Sequence, residues 1–288
     1  MTTALRKEDD MSTNQAHAMA TRARQQPELT ADTATDYRTS TSSPGGLRGE
    51  AQLLIQTRKA QILVRGRAPT KDRPGIPGLV RFGLIARRLW IASALDDPYA
   101  DWYLIKVLEA LNEGREELKA MQEKVAGLLG GVRGVELTIG ESDSPIHVPL
   151  RFANPYGYMG AYLVADYDEL ARTILTAKHV GLMVRDDAER MLAQGGRLVR
   201  RAFSATQGWR YLSVTRDDMA ANNARARKAI ETMGEIPDKS VLEGTLRPRI
   251  APDIRKPGTQ NADDSDDIFG LMGTAGAQAA PTDVRDED

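Results

Sequence analysis

The chain has 288 residues, 41% of them apolar, a formal net charge of −1 and no cysteine. That length can bury a sizeable core, and the missing thiols exclude a disulfide framework, a thiolate zinc site and a cysteine nucleophile. After Met1 come Thr, Ala, Ser and scattered charges, and no stretch approaches the roughly 20 apolar residues of a membrane span, so a cytoplasmic protein with no membrane partner is expected.

Charge is unevenly spread. From Ala251 onward nine acids stand against Arg255, Lys256 and Arg285, which leaves 36 basic and 31 acidic residues in the first 250. Residues 1–46 are rich in Thr, Ala, Ser and Gln and end in Ser-Ser-Pro-Gly-Gly. Too little apolar surface is present there to offset ordering entropy, so 1–46 reads as a disordered arm. Residues 47–250 read as one folded domain and 251–288 as a disordered acidic tail.

Within the folded part, residues 51–65 (AQLLIQTRKAQILVR) lack Gly and Pro and are rich in Leu, Ile and Val, which reads as a strand. A Pro/Gly-punctuated loop follows to Gly75. A helix is expected over 76–95, and Asp97-Pro98 supplies a cap and first-turn proline for the next, which runs to the Gly130-Gly131 stop. Along it Leu104, Leu111, Leu118 and Val125 recur every seven residues, either as packed core or as a dimer seam. Residues 135–139 and 146–152 alternate around Gly140-Glu141-Ser142-Asp143 and read as a hairpin, with Pro149 placing the second strand at an edge. Asp166 and Glu169 resemble a capping box opening a helix to Val180; further helices are expected over 186–203 and 217–233. The fold class is α+β, mostly α.

Catalytic patterns are sparse. His17, His147 and His179 share no metal-ligand spacing, and no G-x-x-x-x-G-K-[ST] loop occurs. The GLLGGVRG run at 127–134 reads as a helix stop rather than a phosphate loop. Tyr156 and Tyr158 are conceivable strand-transfer nucleophiles but have no evident activating cluster, and Asp96-Asp97 and Asp186-Asp187 suit helix starts. A non-enzymatic protein without cofactor or metal is expected.

The densest charge signal lies between Arg58 and Arg88, where nine basic residues face one acid, Asp72. Such clusters bind phosphates with counterion release. Alternation along the expected strand would put Thr57, Lys59 and Gln61 on one face and Gln56 and Arg58 on the other, available to base edges. Arg65, Arg67, Lys71 and Arg73 would then hold phosphates and set register. One strand fills a groove poorly, so this reading of double-stranded DNA demands a homodimer. A helix-turn-helix at 168–203 is the rival element, disfavoured because its second helix opens with acids. The tail segment Asp263-Asp264-Ser265-Asp266-Asp267, followed by Ile268 and Phe269, suits docking to a protein partner.

Four stretches carry a resemblance: LRGEAQLLIQTRKAQILVRGR (47–67), NPYGYMGAYLVADYDELARTILTAKHVGL (154–182), QGGRLVRRAFSATQGWRY (194–211) and LEGTLRPRIAP (242–252). They resemble a family encoded on integrating conjugative elements and related to AcaB-type transcriptional activators of conjugative plasmids. The resemblance implies a dimeric protein with a ribbon-helix-helix-like core, extra helices and a small β-hairpin, which binds DNA and activates conjugation genes. The loop at 66–75 and the long second helix depart from a minimal ribbon-helix-helix unit, and residues 146–152, with His147 and Arg151, remain an alternative reading strand. An accessory protein of the transfer machinery, acting through protein contacts, is the other functional reading.

Overall fold

The computed structural model describes residues 50–72 and 75–255. The expected N-terminal arm, Arg73, and the tail with Asp266, Asp267, Ile268 and Phe269 lie outside the described residues.

Residues 51–65 divide in two, which corrects the single expected strand: β1 spans Ala51–Ile55 and α1 spans Arg58–Arg65. Thr57 is the hinge. Its side chain accepts a hydrogen bond from the Ala60 amide, a helix N-cap, and Ala60, Leu63 and Val64 then fall inward at helical rather than strand spacing. The short strands β2 (Gly66–Arg67) and β3 (Ile76–Pro77) pair antiparallel and close the loop between α1 and α2 (Leu79–Ala94).

α3 (Pro98–Gly130) follows at once, started by Asp97, whose carboxylate accepts from the Tyr99 and Ala100 amides. At 33 residues it is about 50 Å long. Leu104, Leu111, Leu118 and Val125 are all buried inside their own chain, so the heptad stripe is core. The expected hairpin at 135–152 does not form. Its second half is β4 (Ile146–Leu150), which pairs antiparallel with β1, Ala51 opposite Leu150 and Ile55 opposite Ile146. The first half has no strand partner, and the expected turn is tied down by polar contacts: the Ser142 amide donates to Gln56 Oε1 and the Gly140 amide to Thr176 Oγ1. β1 is thus paired to β4 of the same chain, and the two short strands β2 and β3 stand between α1 and α2.

α4 (Pro155–His179) starts eleven residues earlier than the Asp166 expectation, capped by Asn154 with Pro155 in its first turn. It is the hub of the bundle, buried on most of its circumference (Tyr156, Leu163, Val164, Leu170, Ile174, Ala177) and packed against α2, α3 and α5 (Arg185–Ser204). Phe82 of α2 stacks on Phe203 of α5 with ring centroids 4.7 Å apart. The helix expected over 217–233 is broken into α6 (Arg216–Ala220) and α7 (Ala224–Met233) by Asn222, at φ 46°, and the Asn223 cap; α8 (Lys239–Leu242) is a single turn.

The segment after α5 is fastened to the bundle by charge. Asp101 of α3 is fully buried; Arg216 Nη2 donates to it at 2.6 Å and Arg247 Nε at 2.8 Å, while Ser93 Oγ donates at 2.5 Å. Arg216 also donates to Asp96 at 2.6 Å, and its amide bonds the Asp96 carbonyl. Arg247, in the 242–252 stretch singled out by resemblance, belongs to this network. The fold is α+β and mostly helical.

Candidate nucleic-acid interface

The helical state of residues 58–65 redistributes the expected contact residues. Thr57 is buried: its hydroxyl donates to Asp168 Oδ1 at 2.6 Å and its amide to the same oxygen at 2.9 Å, while the Gln56 amide donates to Oδ2 at 2.7 Å. Thr57 therefore anchors α1 to α4 and does not face a groove, a correction to its assignment as a base reader. Lys59 is exposed but donates to Glu189 of α5 at 3.1 Å, which holds that carboxyl below its ordinary pKa. Arg58 and Arg65 are exposed and Gln61 half-buried, at i, i+3 and i+7 on the outer side of α1 with Ile62 between them.

Arg67 is aimed by backbone geometry. Gly66 sits at φ +73°, and a Cβ there would meet the backbone of Ile76 and Gly78 inside van der Waals contact; Gly78 has no room for one either, against Val64 and Gly66. Two glycines at close approach thus lock β2 to β3 and set Arg67, exposed, beside α5, with Lys71 in the exposed turn beyond. Since Lys59 meets Glu189 at one end and Arg67 couples electrostatically to Arg200 at the other, α1 and α5 run side by side in the same direction. The acidic start of α5 lies at the Arg58 end, and its basic half at the Arg67 end.

That basic half escaped sequence reading. Arg197, Arg200, Arg201 and Ser204 recur at i, i+3, i+4 and i+7, one face of α5. With Ile76 of β3 and Leu198 they line an open concavity of about 580 Å³. Arg201 donates to Glu113 of α3 at 2.9 Å. Arg197 and Arg200 have no hydrogen-bonded or ion-paired partner among the described residues. Arg200 is half-buried, and burial first, then Arg197 and Arg67, holds its guanidinium below the ordinary arginine pKa, opposed by Tyr167. The signal was present: from Arg190 to Arg216 there are six arginines and no acid.

The remaining cations of the 58–88 run are on α2. Arg81 and Arg88 are exposed, and Arg87 lines a separate groove with Arg151 and Phe152. The alternative reading strand presents His147 outward, opposite Leu54, but Phe152 is wedged between Gly83 and Gly157. Tyr156 is fully buried, which pushes its phenol pKa far up, and Tyr158 packs edge-on against Phe152 at 5.6 Å. Among the described residues no group of three or more His, Cys, Asp or Glu is arranged to hold a metal ion, and no helix is long and apolar enough to cross a membrane.

A mostly helical α+β domain with an arginine-rich face on α5 is what fold and surface define together. The sequence profile of the family described as transcriptional regulator AcaB matches residues 43–255, and the chain belongs to that family. A similar solved structure is the crystal structure of selenomethionine-containing AcaB from uropathogenic E. coli, at 15% identity and a TM-score of 0.44, covering 68% of this chain and 95% of that one. No curated protein sequence matches the chain.

Proposed function

We propose that this transcriptional regulator works by binding double-stranded DNA, as a homodimer and without catalysis, and that it activates transfer genes of an integrating conjugative element. The observation that carries the DNA reading is the packing of α1 against α5, which brings Arg67 near Arg200 and the arginine face of α5, with Arg65 and Lys71 exposed to either side of Arg67 in the chain. Several cations in one ridge release counterions from a polyanion together, so affinity for DNA falls steeply with salt. Arg58, Gln61 and Arg65 on the outer side of α1 are the side chains available to base edges, since Arg and Gln offer the forked donors that guanine and adenine accept. The homodimer rests on the family resemblance, because a helix needs no second strand to fill a groove.

A gel-shift titration of the full-length protein against the element's own promoters, run at two salt concentrations, tests this reading. Retention that weakens as salt rises, and that prefers promoter over scrambled duplex, is expected. No retention at the lower salt would overturn it.

A further inference from the structure

The groove between β3 and the C-terminal half of α5 has the character of an anion site whose anion none of the described residues supplies. Arg197 and Arg200 project from one helix face into the same concavity, with no carboxylate of the described chain in ion-pair distance. Arg200 is half-buried, so its charge has lost part of its water; Tyr167 favours that charge, while Arg197 and Arg67 oppose it. A partly desolvated guanidinium with no carboxylate partner among the described residues is stabilised when an anionic ligand supplies one. Elsewhere the fold does supply partners: Arg216 and Arg247 are satisfied by Asp101, and Arg201, on the groove's own rim, by Glu113.

The shape selects among anions. The concavity is open rather than enclosed, and apolar Ile76 and Leu198 line it together with the arginines. An enclosed pocket suits a free small molecule, whereas an open trough lined by apolar and cationic side chains suits a continuous strand, its sugars on the former and its phosphates on the latter. Guanidinium forks match phosphate oxygens two at a time.

We propose that Arg197 and Arg200 clamp the phosphodiester backbone of duplex DNA and fix the register in which α1 meets the bases. The clamp rests on the DNA-binding reading above, and one experiment separates the two. Promoter and scrambled duplexes are titrated over a range of salt with full-length parent, an R197A/R200A double variant, and R227A as a distant surface control. The double variant should bind both duplexes about tenfold or more weaker near 0.1 M salt, and its plot of log affinity against log salt should be shallower by about two phosphates. Thermal melting is measured alongside; because Arg197 and Arg200 have no carboxylate partner among the described residues, the double variant should melt at or above the parent temperature. R197K/R200K, which keeps the charges but loses the forks, should recover the slope and only part of the affinity. Parent binding with the double variant indistinguishable in affinity and slope overturns the clamp and leaves the DNA reading intact. A parent that retains no duplex at low salt overturns both.

Discussion

Asp101 shows how single side chains hold this molecule together. A fully buried carboxylate is expensive unless ion-paired and hydrogen-bonded, and Arg216, Arg247 and Ser93 do both. Removing its charge leaves Arg247 without a carboxylate partner, so D101N should destabilise by about 3–5 kcal/mol. Urea denaturation of the variant measures this; a loss within about 0.5 kcal/mol would mean the network contributes nothing. Asp97 is a different case. Burial pushes its carboxyl pKa up to about 7, outweighing the amide bonds from Ala100 and Tyr99. Its folded pKa is raised above the unfolded value, so its contribution is complete below pH 4 and is lost as pH rises toward 7. The parent should therefore lose stability across that window, on the order of 1–4 kcal/mol. D97N keeps the capping oxygen and should flatten the slope. A variant with the parent's pH dependence would assign the slope elsewhere.

At the scale of elements, the α1–β2–β3 junction decides where the cationic ridge points. A methyl group on Gly66 meets backbone on the opposite side, and φ +73° disfavours any side chain, so G66A should cost about 1–3 kcal/mol. It should also weaken DNA binding through displacement of Arg67. Thermal melting and the salt titration read the two effects; unchanged values in both would remove the junction's role. This junction was partly legible. Thr57 followed by Ala60, Leu63 and Val64 is a capped helix pattern, but the Leu/Ile/Val content of the run outweighed it. Asn154-Pro155 carries the same cap-and-proline signature as Asp97-Pro98, which was read correctly; the Tyr- and Gly-rich first turns of α4 hid it. β4 could not have been paired from local pattern, because its partner lies before three intervening helices. The strongly periodic elements, α3 and α5, were recovered to within a residue or so, since a buried stripe along many turns leaves no competing assignment.

Across the whole molecule, linear charge density and surface charge density part company. The richest basic run, 58–88, is shared between α1, the β2–β3 loop and α2, while Lys59 is neutralised by Glu189. The ridge instead joins Arg67, inside that run, to a helix more than a hundred residues later, a juxtaposition only the tertiary fold creates. Family membership supplies the regulatory role; the ridge supplies the proposed means. Its most direct test is chemical modification of arginines with a dicarbonyl reagent, read residue by residue by mass spectrometry, in the presence and absence of promoter duplex. Arg67, Arg197 and Arg200 should become protected when DNA is added, while Arg225 and Arg227 on α7 keep their reactivity. Equal reactivity of the three with and without bound DNA would contradict the account.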